Sequence, residues 1–190
     1  MTAGKPGTQF LALLRGINVG GGNIIKMTHL KACFEAHGLE NVATYIQSGN
    51  VLFETAGTDS TTLIGKLEKA LSKTFSPYRG RIVVCSHAKL GHIVRKAPKG
   101  FGSRPKEFRY DVIYLKAPLT AAEALRSVPT KPGVDRAVAG PDVLYVSRRI
   151  AKAGQSRLAR IVALPIYQDM TIRNWNTTKK LLAMMDARSS

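Results

Sequence analysis

Acidic residues, cysteines and long apolar runs are all scarce in this sequence. Only 12 Asp and Glu residues accompany 29 Lys and Arg residues in a chain of 190, which gives a formal charge of +17. Near the start, the only continuous apolar run is Phe10–Leu14. That run is too short for a secretion signal, and no run reaches the roughly 20 apolar residues of a membrane-spanning helix. We therefore expect a cytoplasmic protein with no membrane partner.

The few cysteines and histidines also exclude some chemistry. Cys33 and Cys85 are far apart in sequence, so we expect two buried thiols rather than a disulfide. His87 and His92 are five residues apart, a spacing that does not place them on one helical face, so no metal site is expected. No paired carboxylates or nucleophile motif indicate an enzyme. Catalytic residues, cofactors and the oligomeric state therefore stay unassigned.

Positive charge, by contrast, is abundant and clustered. Residues 69–106 contain ten basic and no acidic residues, and residues 143–168 contain five basic and no acidic residues. Such fields attract polyanions. We expect non-specific nucleic-acid binding at low salt, although a generally basic surface without a specific role would give the same composition.

Apolar periodicity predicts an element order of βαββαβ in the first half. Ser48-Gly49-Asn50 is typical of a hairpin turn, and Gly38 of a helix end. The predicted strands are Phe10–Leu14, Val42–Gln47, Val51–Glu54 and Arg81–Cys85, and the predicted helices cover residues 27–38 and 63–75.

The second half repeats that order. Its predicted strands are Phe108–Leu115, Val134–Val138, Val143–Val146 and Met170–Ile172, and its helices are Ala121–Arg126, Arg157–Leu164 and Trp175–Met185. We therefore predict an α+β fold of two ferredoxin-like βαββαβ halves. The predicted division is a tail (1–8), a first subdomain (9–86), a connecting helix and basic linker (87–107), a second subdomain (108–173) and a closing helix with tail (174–190).

A glycine-rich loop follows the first strand and is the first candidate site. Arg15 could hold a phosphate or carboxylate, and the backbone of Gly20, Gly21 and Gly22 could complete an anion nest; Gly16 and Asn18 complete the loop. The loop lacks the Lys and Ser/Thr of a phosphate-binding loop and the third glycine of a dinucleotide fingerprint. Alternatively, Arg15 pairs with an acid such as Glu54 and the glycines serve only a tight crossover.

Two further polar segments are candidates. Gln47, Ser48 and Asn50 could supply hydrogen bonds at the rim of a pocket, or could serve only the hairpin turn. Arg173, Asn174 and Trp175 stand before the closing helix. Asn174 is expected to cap that helix, whose N–H groups could face an anion; Trp175 could stack a ring or simply anchor the helix.

Three segments resemble a known family: residues 13–21 (LLRGINVGG), 44–51 (TYIQSGNV) and 171–177 (TIRNWNT). They are similar to signature segments of DUF1697, a bacterial domain of unknown function, and the resemblance extends from about Phe10 to Met184. It implies a duplicated α+β fold. It implies no reaction, cofactor or substrate.

The sequence thus favours an uncharacterised protein that binds a small anionic ligand, bearing phosphate or carboxylate, near Arg15, the glycine loop and Arg173-Asn174. One alternative is a nucleic-acid-associated basic protein, and another is an enzyme acting on a phosphorylated or nucleotide substrate. An RNA-recognition module also has the order βαββαβ and stacks bases on strand aromatics. The first and third strands of the first half offer only Phe10 and Phe53 for that purpose, so the sheet face lacks a stacking platform and we do not expect such a module.

Overall fold

Two antiparallel sheets of four strands each organise the protein. The structure, a computed structural model, describes residues 7–20, 22–56 and 60–188. The chain divides into two compact units, each described by itself below. Unit 1 holds the residues up to Lys89 and from Met185 onward, and unit 2 holds Leu90–Met184.

The sheet of unit 1 has β1 and β3 at its centre. Strand order is β2-β3-β1-β4, and every neighbouring pair is antiparallel. Because side chains alternate along a strand, Phe10, Ala12 and Leu14 of β1 enter one apolar core beside Phe34 and Phe53. The elements are β1 (Thr8–Leu14), α1 (Met27–Glu35), β2 (Glu40–Tyr45), β3 (Asn50–Thr55), α2 (Ser60–Thr74), β4 (Ile82–Ser86) and α3 (His87–Arg95), the last of which continues into unit 2.

The sheet of unit 2 has the order β6-β7-β5-β8, again antiparallel throughout. Ile113 and Leu115 of β5 pack with Leu144 and Val146 of β7 in an apolar core that includes Ala124. The elements are β5 (Phe108–Leu115), α4 (Ala121–Ser127), β6 (Asp135–Gly140), β7 (Val143–Arg149), β8 (Met170–Asn174) and α5 (Trp175–Asp186).

The predicted α-helix Arg157–Leu164 is wrong. After β7 the chain forms three short 3₁₀ helices, Ile150–Gln155, Leu158–Ala163 and Pro165–Asp169. Extended backbone at Ser156 and Leu164 separates them. Leu164 precedes a proline, which disfavours the α conformation, so a helix that begins after Ser156 cannot continue past Ala163.

Asp135, at the start of β6, anchors this segment. Its carboxylate accepts hydrogen bonds from Lys131 N at 3.0 Å, Ser156 Oγ at 2.7 Å and Arg157 N at 2.8 Å. A carboxylate that binds three donors strongly favours one local geometry. The side chain of Asp135 therefore fixes where the second 3₁₀ helix begins, a role that apolar periodicity does not reveal.

The other predicted strands and helices are confirmed with shifts of a few residues at their ends. The fold is mixed α+β with two four-stranded sheets. Whether the halves are copies of one ferredoxin-like unit stays a prediction. No described helix is both long and apolar enough to cross a membrane.

Candidate functional site

The glycine loop, residues 15–25, is stabilised from within by two asparagines. Asn18 Oδ1 accepts from Ile25 N at 2.8 Å, and Asn18 Nδ2 donates to Ile25 O at 3.0 Å. Asn23 Nδ2 donates to Gly16 O at 2.9 Å. Gly16 and Gly20 have φ values of +67° and +61°, where glycine avoids the steric cost of a side chain. The loop therefore holds its shape through its own hydrogen bonds.

Parts of the predicted anion nest are used inside the loop. Gly22 donates its N–H to Val19 O at 3.2 Å, whereas Gly21 lies outside the described residues. The Val19 side chain is exposed. The nest itself stays a prediction.

The structure brings the predicted hairpin turn against this loop. Asn18 Nδ2 donates to Gln47 O at 2.8 Å, and Leu14 N donates to Gly49 O at 2.8 Å. Asn50 is fully buried, and its Nδ2 donates to Tyr45 O at 2.9 Å. The two candidate segments of unit 1 therefore lie at the same end of its sheet, a proximity that sequence alone did not settle.

The side chains of this turn also serve its own geometry. Asn50 Nδ2 donates to Ser48 Oγ at 3.0 Å, so Ser48 takes part in holding the turn. Ile46, just before Gln47, has φ +49° and is half exposed. A β-branched residue in this region is strained, and the adjoining hydrogen bonds offset that strain.

Arg15 links three parts of unit 1 through its main chain. Its N–H donates to Arg81 O at 3.0 Å, and its carbonyl accepts from Tyr78 Oη at 2.9 Å. Glu54, the acid considered as its partner, accepts from Asn41 Nδ2 at 2.7 Å. The role of the Arg15 guanidinium in anion binding remains a prediction.

The third predicted segment belongs to unit 2. Asn174 Oδ1 accepts from Asn176 N at 3.0 Å, so Asn174 caps α5 as expected, and its Nδ2 donates to Tyr110 O at 3.0 Å. Arg173 is buried and donates to Thr171 Oγ1 and to Ile172 O, both at 2.8 Å. Arg15 and Arg173 thus lie in different units.

Trp175 belongs to a cluster of aromatic side chains that the sequence reading did not identify. Phe101 lies at its centre, with its ring centroid 5.0 Å from Tyr110, 5.4 Å from Tyr145 and 5.1 Å from Trp175, all in edge-to-face geometry. Phe108 joins through Tyr110 at 6.1 Å. We call these five residues the aromatic cluster. Edge-to-face pairs add stability beyond simple area burial.

Strand pairing places the cluster on the sheet face opposite the apolar core of unit 2. Phe108 and Tyr110 of β5 alternate with the positions that face the core. Antiparallel register sets Phe108 opposite Arg149 and Tyr110 opposite Ser147 of β7. Aromatic and basic side chains therefore lie side by side on adjacent central strands, within reach of each other.

Residues 98–107, which we call the strap, carry Phe101 onto this face. Turns with hydrogen bonds from Phe101 N to Pro98 O (2.8 Å) and from Ser103 N to Gly100 O (3.1 Å) shape the strap. Gly102 has φ +84°, and a Cβ there would lie 2.4 Å from the Trp175 ring. Only glycine allows the strap to pass this close to the indole. The residues predicted as a linker therefore form one wall of a site.

Between the strap and the sheet lies a cavity of about 440 Å³, the aromatic cavity. Phe101, Phe108, Tyr110 and Tyr145 line it together with four cationic residues, Lys99, Arg104, Arg136 and Arg149. The guanidinium carbons of Arg104 and Arg149 are each 5.3 Å from the centre of the Phe108 ring, which is cation–π distance.

Asp135 is the single acidic residue in the lining of this cavity. Its carboxylate is occupied by the three internal donors described above. Just outside, Glu107 accepts from Arg104 Nε at 2.7 Å, and this bonding lowers the pKa of Glu107. The field inside the cavity is therefore positive and suited to an anion.

A second cavity of about 510 Å³ adjoins the first, because Phe108 and Tyr110 line both. Its other walls include Arg109, Arg148, Asn174, Trp175 and Asn176. Two of the predicted site residues, Asn174 and Trp175, are thus part of a cavity.

The cluster offers hydrogen bonding and stacking rather than acid–base chemistry. Tyr145 is almost fully buried and donates its hydroxyl to Ile93 O at 2.6 Å. Burial raises the pKa of Tyr145 to about 12, so the phenol is neutral at physiological pH. Within the described ranges no group of three or more His, Cys, Asp or Glu residues could hold a metal ion. Cys33 and Cys85 are both buried and are not joined in a disulfide.

A sequence signal for this site existed. Phe108-x-Tyr110 alternates along a predicted strand, and Tyr145 lies on another. The first and third strands of unit 1 lack such a set of rings, whereas the equivalent strands of unit 2 carry them. Phe101 had no periodic signal at all.

Comparison with known proteins assigns the chain to a family but does not identify a reaction or a ligand. No curated protein matches the chain significantly. The conserved bacterial protein SP0830 from Streptococcus pneumoniae is similar in structure, with a TM-score of 0.81 and 24% identity over 93% of this chain and 98% of that one; at that identity the likeness shows the fold alone. The family described as "Protein of unknown function (DUF1697)" matches residues 8–145. The chain therefore belongs to the DUF1697 family.

Proposed function

We propose that this protein binds a phosphate-bearing aromatic ligand of the nucleotide class in the aromatic cavity of unit 2. The observation that carries the proposal is the combination in one cavity of four aromatic rings and four cationic side chains, with Asp135 as the only acid. Rings stack planar bases, and Lys or Arg side chains bind phosphate. A cavity of about 440 Å³ also lies within the size range of small-ligand sites.

This proposal keeps the anionic ligand expected from the sequence and assigns it to unit 2. It also accounts for part of the positive charge, because Lys99 and Arg104 belong to the first basic stretch and Arg149 to the second. We propose binding only, since the lining supplies no evident acid–base pair.

Isothermal titration calorimetry of UMP, AMP, ribose 5-phosphate and inorganic phosphate tests the proposal. At about 0.15 M salt, surface charges are screened beyond about 8 Å. We expect saturable binding of the nucleotides, weaker binding of ribose 5-phosphate and the weakest binding of phosphate, because stacking contributes about 1–3 kcal/mol per base.

Matched arginine variants separate the cavity from the general basic surface. Arg136→Gln removes a cation from the cavity lining, whereas Arg160→Gln removes an exposed cation outside both cavities. We expect Arg136→Gln to weaken nucleotide binding and Arg160→Gln to leave it unchanged. Equal losses in the two variants, or no saturable binding of any nucleotide, would contradict the proposal.

The glycine loop remains a second candidate for the anion. The contact between Asn18 and the Gln47 carbonyl supports a joint site of the loop and the hairpin turn in unit 1.

We also propose that the two units are copies of one ferredoxin-like arrangement. The matching strand orders, β2-β3-β1-β4 and β6-β7-β5-β8, support this proposal.

A further inference from the structure

The aromatic cavity and the second cavity share a wall made by the Phe108 and Tyr110 side chains. We propose that together they bind single-stranded nucleic acid, with one nucleotide in each cavity. This inference rests on the proposed function and extends it from a nucleotide to a chain of nucleotides. The ring centroids of Phe108 and Tyr110 are 6.1 Å apart, so the two rings form a continuous ridge between the cavities.

Each cavity has the size and the groups needed for one nucleotide. Their volumes are about 440 and 510 Å³, and each falls within the range of a complete small-ligand site. The second cavity adds the polar side chains of Asn174 and Asn176 beside the Trp175 ring. Single-stranded bases are recognised by such a pairing of aromatic stacking and hydrogen bonds to exposed base edges.

Cations are distributed along both cavities rather than gathered at one point, as a chain of phosphates requires. Arg104 and Arg109 pair with Glu107 and Asp111, respectively. Among the described residues, no ion pair is formed by three other lining cations, Lys99, Arg136 and Arg148. Cations without carboxylate partners bind phosphates without first breaking an internal ion pair.

The position on the sheet fits this ligand. Phe108 and Tyr110, both partly exposed, lie on the first strand of the unit 2 sheet. The adjacent third strand carries Tyr145, which is almost fully buried and packs against Phe101. RNA-recognition modules also present stacking aromatics on a four-stranded sheet. The strap sets this protein apart, because Phe101 covers part of the face and leaves open the two cavities on either side of the Phe108–Tyr110 ridge.

A length series tests the inference by calorimetry on the full chain, with UMP, pUpU and pUpUpUpU as probes. We expect pUpU to bind at least about fivefold more tightly than UMP, since a second base is stacked, and pUpUpUpU to add little more. If pUpU binds no more tightly than UMP, the inference is overturned and the nucleotide proposal stands. If neither probe binds, the proposed function itself fails.

Variants assign the second nucleotide to the second cavity. Arg148→Gln changes a residue that lines the second cavity and not the aromatic cavity, so it should remove most of the advantage of pUpU over UMP. The slope of log affinity against log salt for pUpU should become shallower by about 0.7, the value for one lost phosphate contact on a single strand. Arg136→Gln should weaken both probes, and Arg160→Gln neither.

A steady rise of affinity with length that is equal in Arg148→Gln and Arg160→Gln would instead show binding by the general basic surface. That result overturns the two-cavity site. Circular dichroism of each variant, compared at equal concentration, checks that a loss of binding is not a loss of folding.

Discussion

The two units share a strand order but differ on the sheet face that lies away from the core of each. In unit 1 this face carries aliphatic side chains, and Leu11, Leu13 and Leu52 are all buried. In unit 2 the same face carries Phe108 and Tyr110, which border two open cavities. The strand order is therefore the same in both units, and the difference lies in the side chains at alternate positions of the two central strands.

The loops of the two units differ in a parallel way. In unit 1 the side chains of Asn18 and Asn23 form hydrogen bonds with the backbone of the glycine loop and so stabilise it. In unit 2 the strap contributes the Phe101 ring to a cluster with Tyr110 and Trp175. Both segments need glycine, and the strap supplies the Phe101 side chain to the wall of the aromatic cavity.

Glycine-to-alanine substitutions in each unit should give the largest effects. At Gly102 a Cβ would meet the Trp175 ring at 2.4 Å, and at Gly49 it would meet the Ile17 side chain at 2.7 Å. Both residues have positive φ, so strain and overpacking combine to destabilise each variant by about 3 kcal/mol. Thermal unfolding followed by circular dichroism measures this. Of the two, we expect only Gly102→Ala to weaken nucleotide binding as well.

Three other glycines are controls for that experiment. Gly38 and Gly133 have positive φ but open space around the Cβ position, and Gly154 has neither constraint. Alanine at Gly38 or Gly133 should therefore cost about 1–2 kcal/mol, and at Gly154 almost nothing. A Gly102→Ala protein as stable as Gly133→Ala would show that the strap can move away from Trp175.

Phenylalanine-to-leucine substitutions should separate ligand binding from folding. Phe108→Leu removes the ring that borders both cavities and should weaken nucleotide binding by about 1–3 kcal/mol, with a smaller loss of stability. Phe10→Leu removes a buried ring that stacks on Phe53 in unit 1 and should lower stability alone. Calorimetric titration and thermal unfolding of the two variants measure the contrast. Equal binding losses would mean that the rings of unit 2 hold no special role.

Alkaline pH should weaken unit 2 through Tyr145. Burial raises the pKa of Tyr145 to about 12 in the folded protein, whereas an unfolded tyrosine titrates near pH 10. Its stabilising contribution is complete below about pH 10 and is lost as the pH rises towards 12, because the unfolded state releases the proton first.

Tyr145→Phe tests this assignment. At neutral pH the free energy of unfolding of the variant should be lower by about 1 kcal/mol, because the hydrogen bond to Ile93 O is absent. It should also show a shallower fall of Tm between about pH 10 and pH 12 than the unmodified protein. An unchanged slope would place the alkaline sensitivity elsewhere.

The smallest expected effect is at Arg15. If ligand binding belongs to the aromatic cavity, Arg15→Ala should leave the affinity for UMP unchanged, because Arg15 lies in unit 1 and lines neither cavity. Calorimetric titration of the variant measures this. Loss of UMP binding in Arg15→Ala, with Arg136→Gln unaffected, would move the site to the glycine loop.

Much of the fold could be predicted from local pattern, and less of the site. The β5 strand was predicted with its observed bounds, because Phe108, Tyr110, Val112 and Tyr114 place aromatic or apolar side chains at alternate positions. The α-helix predicted for residues 157–164 is wrong because the conformation of this segment depends on the distant Asp135 carboxylate and on Pro165. Phe101 lies in a Pro-, Gly- and Lys-rich segment, where only tertiary packing shows its role.

The position of Trp175 makes the tryptophan fluorescence of this protein a signal from unit 2. It is the only tryptophan in the chain, it is almost fully buried, and its ring packs edge-to-face on Phe101. Tryptophan fluorescence therefore reports the environment of the strap and α5 in unit 2, whereas far-ultraviolet circular dichroism reports the helices and strands of both units. In a urea titration, coincident curves from the two signals would mean that the units unfold as one cooperative system. Separate curves would identify the unit that opens first.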